Sequence, residues 1–365
     1  MQTLINIVVF ILILGIVVLI HELGHFITAK SFGVYCSEFS IGMGPKIFSR
    51  KKGETEYEIR ALPIGGFVSM AGEADNDIEE FKDVPIERTL KGISCWKKCV
   101  VFLAGVFMNF VLSLVILIGV YCVIDVQTNT PEIGKVTSDS PAMIAGLEAG
   151  DTISKITYDG HENIIASFAD IREVLNNDNL KSKSATIMLQ VELVRDGKTI
   201  TKEVNAKYNS DSNSYTMGLT PATRNLSFFE AINYGVTKFV EMALLIFTTL
   251  GKLFTDSANT IGQLSGPAGI YNVTAQITET GSISQLLTLL ALLSTNIGMF
   301  NLLPIPGLDG CQVIFAVVER VIGRELPLKV KYGLQIAGLA LVFGLMIFVT
   351  CLLYTSPSPR DQRGS

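Results

Sequence analysis

Charge is what this sequence has little of. Asp, Glu, Lys and Arg make up 17% of its 365 residues and hydrophobic residues 48%, whereas an ordinary globular domain is about 25% charged. With a mean hydropathy of +0.42, this shortage points to a chain that lies partly in lipid. The formal net charge is −5 and no basic stripe stands out, which argues against nucleic acid as a partner. Cysteine is sparse too: six residues, no Cys-x-x-Cys pair, and none between Asp125 and Leu308. That excludes a disulfide framework and a cysteine-built zinc site. Histidine is scarcer still, with three residues in all. The first twenty residues lack Lys, Arg, Asp and Glu, so the charged start of a secretory signal peptide is missing. Their apolar run is also too long for a signal core and reads as a retained membrane helix.

About 20 apolar residues in a helix span the hydrocarbon. Four stretches qualify: 1–32, 99–124, 282–310 and 333–353. The fold class expected is a polytopic α-helical membrane protein with about four transmembrane helices. Lys30 closes the first stretch and Arg50, Lys51 and Lys52 follow it, Lys97 and Lys98 precede the second, and Lys329 and Lys331 precede the fourth. By the positive-inside rule, loops 33–98 and 311–332 lie in the cytoplasm and the long segment after Asp125 lies outside. The first and third spans then run in the same direction, and their C-terminal ends share one level. A fifth apolar stretch, 226–256, is interrupted by Glu230, Lys238, Glu241 and Lys252. That pattern suits an amphipathic helix at the interface, with a true span as the second reading.

The first span ends in His21-Glu22-Leu23-Gly24-His25, which holds two of the three histidines. Residues four apart lie on one helix face. Two imidazoles so placed can bind one Zn²⁺, with the glutamate between them as general base. Ionisable groups inside a span are costly and usually functional. A catalytic zinc takes three protein ligands plus water, so a third ligand is needed at the same depth. The third span offers Asn301-Leu-Leu-Pro304-Ile-Pro306-Gly-Leu-Asp309-Gly. Asp309 is the first acid after a long uncharged run. Taken alone it marks a water boundary; beside an incomplete His pair it reads as the missing ligand. Pro304 and Pro306 break helical geometry, and irregular backbone at membrane depth survives only inside protein or along a wet cavity. This segment is therefore read as a wall of the site, with the Asn301 amide able to hold a substrate backbone or an oxyanion.

On these two motifs, in this order, the chain resembles the site-2 protease family and, more narrowly, bacterial intramembrane metalloproteases of the RseP type. The resemblance runs from Met1 to about Val349. It implies zinc bound by His21, His25 and Asp309, Glu22 as base, a bacterial plasma-membrane location and an active site near the cytoplasmic face. It also implies single-span membrane proteins as substrates, such as anti-sigma factors or remnant signal peptides. Two further stretches are similar to the family: Gly42-Met-Gly-Pro45 and the run from Tyr57 to Met70. The latter reads as a hairpin of 57–60 and 67–70 around Pro63 and Gly65-Gly66. In the family it corresponds to a membrane-associated β-loop whose edge takes an extended substrate, so Gly65, Gly66 and Phe67 join the substrate-binding candidates. Ser265-Gly-Pro-Ala-Gly269 also resembles a family motif and has no role derived from its residues.

Residues 127–221 read as a soluble α/β unit. Ser140-Pro141 starts a helix that Gly146 ends, and Asp196-Gly197 joins two strands in a hairpin. The run Ser140-Pro-Ala-x-x-Ala-Gly146-Leu-x-x-Gly150-Asp151 resembles a bacterial PDZ domain, present once. It implies either capture of peptide C-termini or exclusion of bulky ectodomains. His161 sits in a polar loop and reads as surface. The competing function is a catalytically idle membrane adaptor that displays this domain, which would have no use for Glu22. A metal transporter would need polar residues along several spans. The polar 354–365 run, rich in Pro and Ser, reads as a non-native tail.

Overall fold

A 30-residue helix, α1 (Gln2–Ser31), opens the structure. At 1.5 Å per residue it is about 45 Å long, enough to cross a hydrocarbon layer of about 30 Å with nearly three turns to spare. The computed structural model describes residues 1–73, 81–176, 185–210, 214–255, 267–327 and 329–338, together with 340 and 344. The chain divides into two units, Met1–Val120 with Ala231–Ser365, and Tyr121–Glu230.

In the first unit α1 packs against α2 (Cys95–Tyr121) and α7 (Ile283–Asn301). A Cβ on Gly24 would sit 2.7 Å from the Ala104 carbonyl carbon, so the glycine inside the His-Glu-Leu-Gly-His run lets two helix backbones touch. Towards its N-terminus α1 contributes Ile13 and Val17 to a cluster with Leu289, Leu290 and Leu293 of α7. Nearer its C-terminus His21 faces Asn301, so α1 and α7 run parallel. Between α2 and α7, Ser113 Oγ and Thr295 Oγ1 lie 2.7 Å apart. Ser294 Oγ donates to the Asn109 carbonyl over 2.8 Å. Such polar contacts bind helices where the hydrophobic effect cannot.

Four described helical stretches are long and apolar enough to cross a membrane: α1, α2, α7, and residues 228–249 of α5 (Phe228–Thr255). Three of them, α1, α2 and α7, overlap the expected spans 1–32, 99–124 and 282–310. Most of the expected span 333–353 falls outside the described residues, as does all of 354–365. Residues 228–249 belong to the stretch expected to lie at the interface, and by length and composition they also suit a span, the second reading. They run beside α2, with the Phe239 ring centroid 5.4 Å from that of Phe110 and Gly235 against Ile118. The third span is also shorter than expected. α7 stops at Asn301, and the proline motif follows as irregular chain before α8 (Asp309–Ile322). Pro304 and Pro306 cannot supply the N–H groups a continuing helix needs. α8 occupies part of the expected loop 311–332. A further helix, α6 (Pro267–Thr280), begins within the Ser265–Gly269 motif, whose first two residues lie outside the described set.

After α1 come two long strands, β1 (Cys36–Lys52) and β2 (Thr55–Met70), paired antiparallel. The hairpin turn falls at Gly53-Glu54, not at Gly65-Gly66. The expected partners 57–60 and 67–70 do not pair with each other; β1 lies between them, with Phe39 matched to both Tyr57 and Val68, and Ser40 to both Glu58 and Phe67. The far end exposes Met43, Ile47, Phe48, Ile59 and Leu62. Glu38, Glu56 and Glu58 cluster nearby. Lys46 contacts all three, and Arg60 Nη2 reaches Glu58 at 2.7 Å and Glu38 at 3.2 Å. The cluster thus carries its own cations.

The second unit opens with β3 (Val126–Gln127) and β4 (Ile133–Val136) and is built on a five-stranded antiparallel sheet in the order β6-β5-β7-β8-β9, comprising β5 (Thr152–Tyr158), β6 (His161–Ile164), β7 (Thr186–Arg195), β8 (Lys198–Asn209) and β9 (Ser214–Thr216), with the helix α4 (Phe168–Asn176) between β6 and β7. Asp196 and Gly197, with φ of 49° and 73°, make the β7–β8 turn, the positive-φ pair that matches strand twist. α3 (Pro141–Ile144) is capped by Ser140 Oγ, which accepts from the Met143 N–H. Its core gathers Ile133, Ile153, Ile156, Phe168, Leu189, Val191 and Leu193. Asp151, 1% exposed at its side chain, takes both Nε and Nη2 of Arg195 at 2.7 Å. His161, expected in a loop, lies exposed at the start of β6.

Candidate active site

His21 and His25 stack one turn apart on the inner face of α1, with ring centroids 4.8 Å apart and Nε2 atoms at 3.2 Å. Both are buried. Asp309 reaches them from the first turn of α8, where a helix N-terminus favours a carboxylate. Its Oδ2 lies 3.1 Å from His21 Nε2 and 3.4 Å from His25 Nε2. The break after α7 makes this possible, because it ends one helix at Asn301 and starts the next with its first side chain turned back to α1.

Three atoms so arranged fit a metal. The edge of a tetrahedron with bonds of about 2.0–2.1 Å is about 3.3–3.4 Å, close to the three separations of 3.1, 3.2 and 3.4 Å. Asp309 Oδ2 is buried with no hydrogen-bond partner, and a buried carboxylate oxygen is costly unless paired or coordinated. The donor set of two imidazoles and one carboxylate suits zinc.

Glu22 lies half-buried beside this group. Its Cγ is 3.6 Å from where a Cβ on Gly66 would be. β2 therefore passes the acid between the histidines. Asn301 Nδ2 is 3.5 Å from His21 Nε2, so that amide reaches the metal-facing side. The other substrate-binding candidates sit farther out. Gly65 packs on Met43, and Phe67 lies under the Arg60 guanidinium at 4.7 Å. Pro304 is exposed, and Pro306 lies against the helical stretch 329–338 at Gly338.

Sequence reading missed the part played by α2. The Val101 carbonyl oxygen is 2.8 Å from His25 Nδ1, and Asn109 Nδ2 is 3.3 Å from His21 Nδ1. Between them, a Cβ on Gly105 would come within 2.8 Å of His21 Nδ1. Val101, Gly105 and Asn109 are spaced by four and line one helix face. The signal in the sequence is a pair of polar residues, Asn109 and Ser113, in an otherwise apolar span.

Metal-dependent peptidases seated in membranes are the class that this donor set and these long apolar helices define. Known proteins agree. The profile of Peptidase family M50 matches residues 9–345, and the chain belongs to that family. A protein assigned as a zinc metalloprotease in Clostridium perfringens is 35% identical over 334 residues, 91% of this chain and 93% of that one. The regulator of sigma-W protease RasP of Bacillus subtilis is 31% identical over 421 aligned positions, 94% of this chain and 97% of that one. The zinc metalloprotease RasP of Bacillus licheniformis is 32% identical with the same coverage. The chain is a zinc metalloprotease of the membrane.

Proposed function

We propose that this protease cuts single-span membrane proteins at the cytoplasmic edge of a bacterial plasma membrane, with His21, His25 and Asp309 as zinc ligands and Glu22 as general base. The convergence of two Nε2 atoms and one carboxylate oxygen within 3.4 Å of one another carries the reading. When bound, zinc supplies Lewis acidity that polarises a carbonyl and makes a water more acidic. Glu22 takes the proton of the attacking water and delivers it to the departing amine. Asn301 holds the substrate backbone through its amide.

A transmembrane helix shields its own peptide bonds, so a substrate must be held extended. Residues 66–70 of β2 pair with β1 on one side, and Gly66 brings them against Glu22. A strand added along this edge would present its peptide bonds to the acid. The exposed apolar end of the β1–β2 hairpin, from Met43 to Leu62, suits insertion into lipid. Residues 127–221 form an extracytoplasmic PDZ domain that binds peptide C-termini or bars bulky ectodomains. The Lys and Arg flanking the spans support this orientation, and the parallel course of α1 and α7 supports a common level for the histidine pair and the chain break that leads to Asp309.

Cleavage of a purified single-span reporter in liposomes tests the function. Wild type should produce a cut within or at the edge of the span, and Glu22→Gln should produce none. Equal cutting by both proteins would overturn the reading.

A further inference from the structure

His25 has its far nitrogen accounted for, because a carbonyl oxygen can only accept and Val101 O at 2.8 Å therefore fixes the proton on Nδ1. His21 has no such fixed partner. Its Nδ1 faces the side chain of Asn109, with Nδ2 at 3.3 Å, while Asn109 Oδ1 is buried with no hydrogen-bond partner. Asn109 is 0% exposed, and its backbone is held by Ser294. An imidazole that offers Nε2 to a metal carries its proton on Nδ1 and needs an acceptor there. A half-turn of the Asn109 amide supplies one. Its oxygen and nitrogen ends are nearly equal in size, so Oδ1 replaces Nδ2 opposite His21 without repacking.

We propose that Asn109 is a positioning residue that holds His21 in its metal-binding tautomer by accepting a hydrogen bond from Nδ1–H. The proposal rests on the reading of His21, His25 and Asp309 as zinc ligands. It gives α2 a coherent role: Val101 orients one imidazole, Asn109 the other, and Gly105 leaves the room in which both rings stand.

Zinc affinity of the full-length protein in detergent, measured by competition with a chromophoric chelator, tests this. Asn109→Leu, apolar and similar in size, should bind zinc about 10–100-fold more weakly. Asn109→Asp keeps an accepting oxygen and should retain the wild-type affinity or exceed it. A residue that serves packing alone would give the opposite order, with Leu tolerated and Asp impaired. Should Asn109→Leu not accumulate, Asn109→Ser is too short to reach Nδ1 and should show the same loss. Wild-type affinity in Asn109→Leu or Asn109→Ser, or equal weakness in Asn109→Asp, overturns the proposal. His21→Ala, measured alongside, separates the two readings: it should lose zinc whatever Asn109 does, and full affinity in that variant would remove the ligand assignment itself.

Discussion

The Nδ1 of His25 lies 2.8 Å from the main-chain oxygen of Val101, seventy-six residues away. Because that oxygen has no proton to give, the ring must donate, and its Nε2 is left with a free lone pair turned toward Asp309. One backbone carbonyl on α2 thus sets the chemical state of a side chain on α1. The same helix places Gly105 and Asn109 against His21, so the site draws on four helices, α1, α2, α7 and α8, although the sequence motifs occupy two regions.

Glu22→Gln should keep its zinc and lose cleavage. The amide preserves shape but cannot take a proton, and general-base catalysis contributes about 10²–10⁴-fold. Reporter turnover together with metal content checks both halves; a variant that still cuts at the wild-type rate contradicts the base assignment.

Asp309→Asn exchanges a charged ligand for a neutral amide opposite two imidazoles. Zinc content after dialysis should fall well below one per chain. Elemental analysis of the purified variant reads this directly, and stoichiometric zinc would remove Asp309 from the ligand set.

Gly105→Ala adds a methyl group where it would stand 2.7 Å from His21 Cε1. Overpacking of this kind costs about 1–3 kcal/mol, and here the strain falls on a ligand. Zinc retention should drop, while Gly119→Ala on the same helix, where an added Cβ meets nothing within 4 Å, should bind zinc as wild type does. Equal retention in the two variants would show that the imidazoles do not need the gap.

Asp151 is held below the usual carboxylate range, chiefly by its hydrogen bonds to Arg195. A depressed folded-state pKa stabilises at pH values above the unfolded one and is lost as pH falls through the folded one. The 121–230 unit should therefore loosen on acidification below that range, with no change near neutrality. Asp151→Asn should weaken it by about 2–3 kcal/mol at neutral pH and flatten the acid response. Hydrogen exchange of β5 and β7 amides in the full-length protein provides the readout.

Much of the site could be read from the sequence because its chemistry is dense. Two of three histidines stand four apart around a glutamate, and Asp309 is the first acid after a long neutral run. The Asp196-Gly197 turn was equally plain, since few residue pairs tolerate two positive φ values. The β1–β2 pairing was not. Glycines at 65 and 66 suggested a tight hairpin, but the strand from Cys36 pairs with both of its arms, a non-local choice that local turn signals do not encode. α5 was harder for another reason: its few charges fit an interfacial helix as well as a span. Asn109 escaped notice because a neutral amide barely alters hydropathy, although its spacing from Val101 and Gly105 marks the face turned to the histidines.

Zinc-edge X-ray absorption of the purified, zinc-loaded protein bears most directly on the three-ligand centre. Two imidazole nitrogens and carboxylate or water oxygen at about 2.0–2.1 Å are expected, with no sulfur near 2.3 Å, and His25→Ala should lose one imidazole from the spectrum. A sulfur shell, or a spectrum unchanged in His25→Ala, would contradict a centre built from His21, His25 and Asp309.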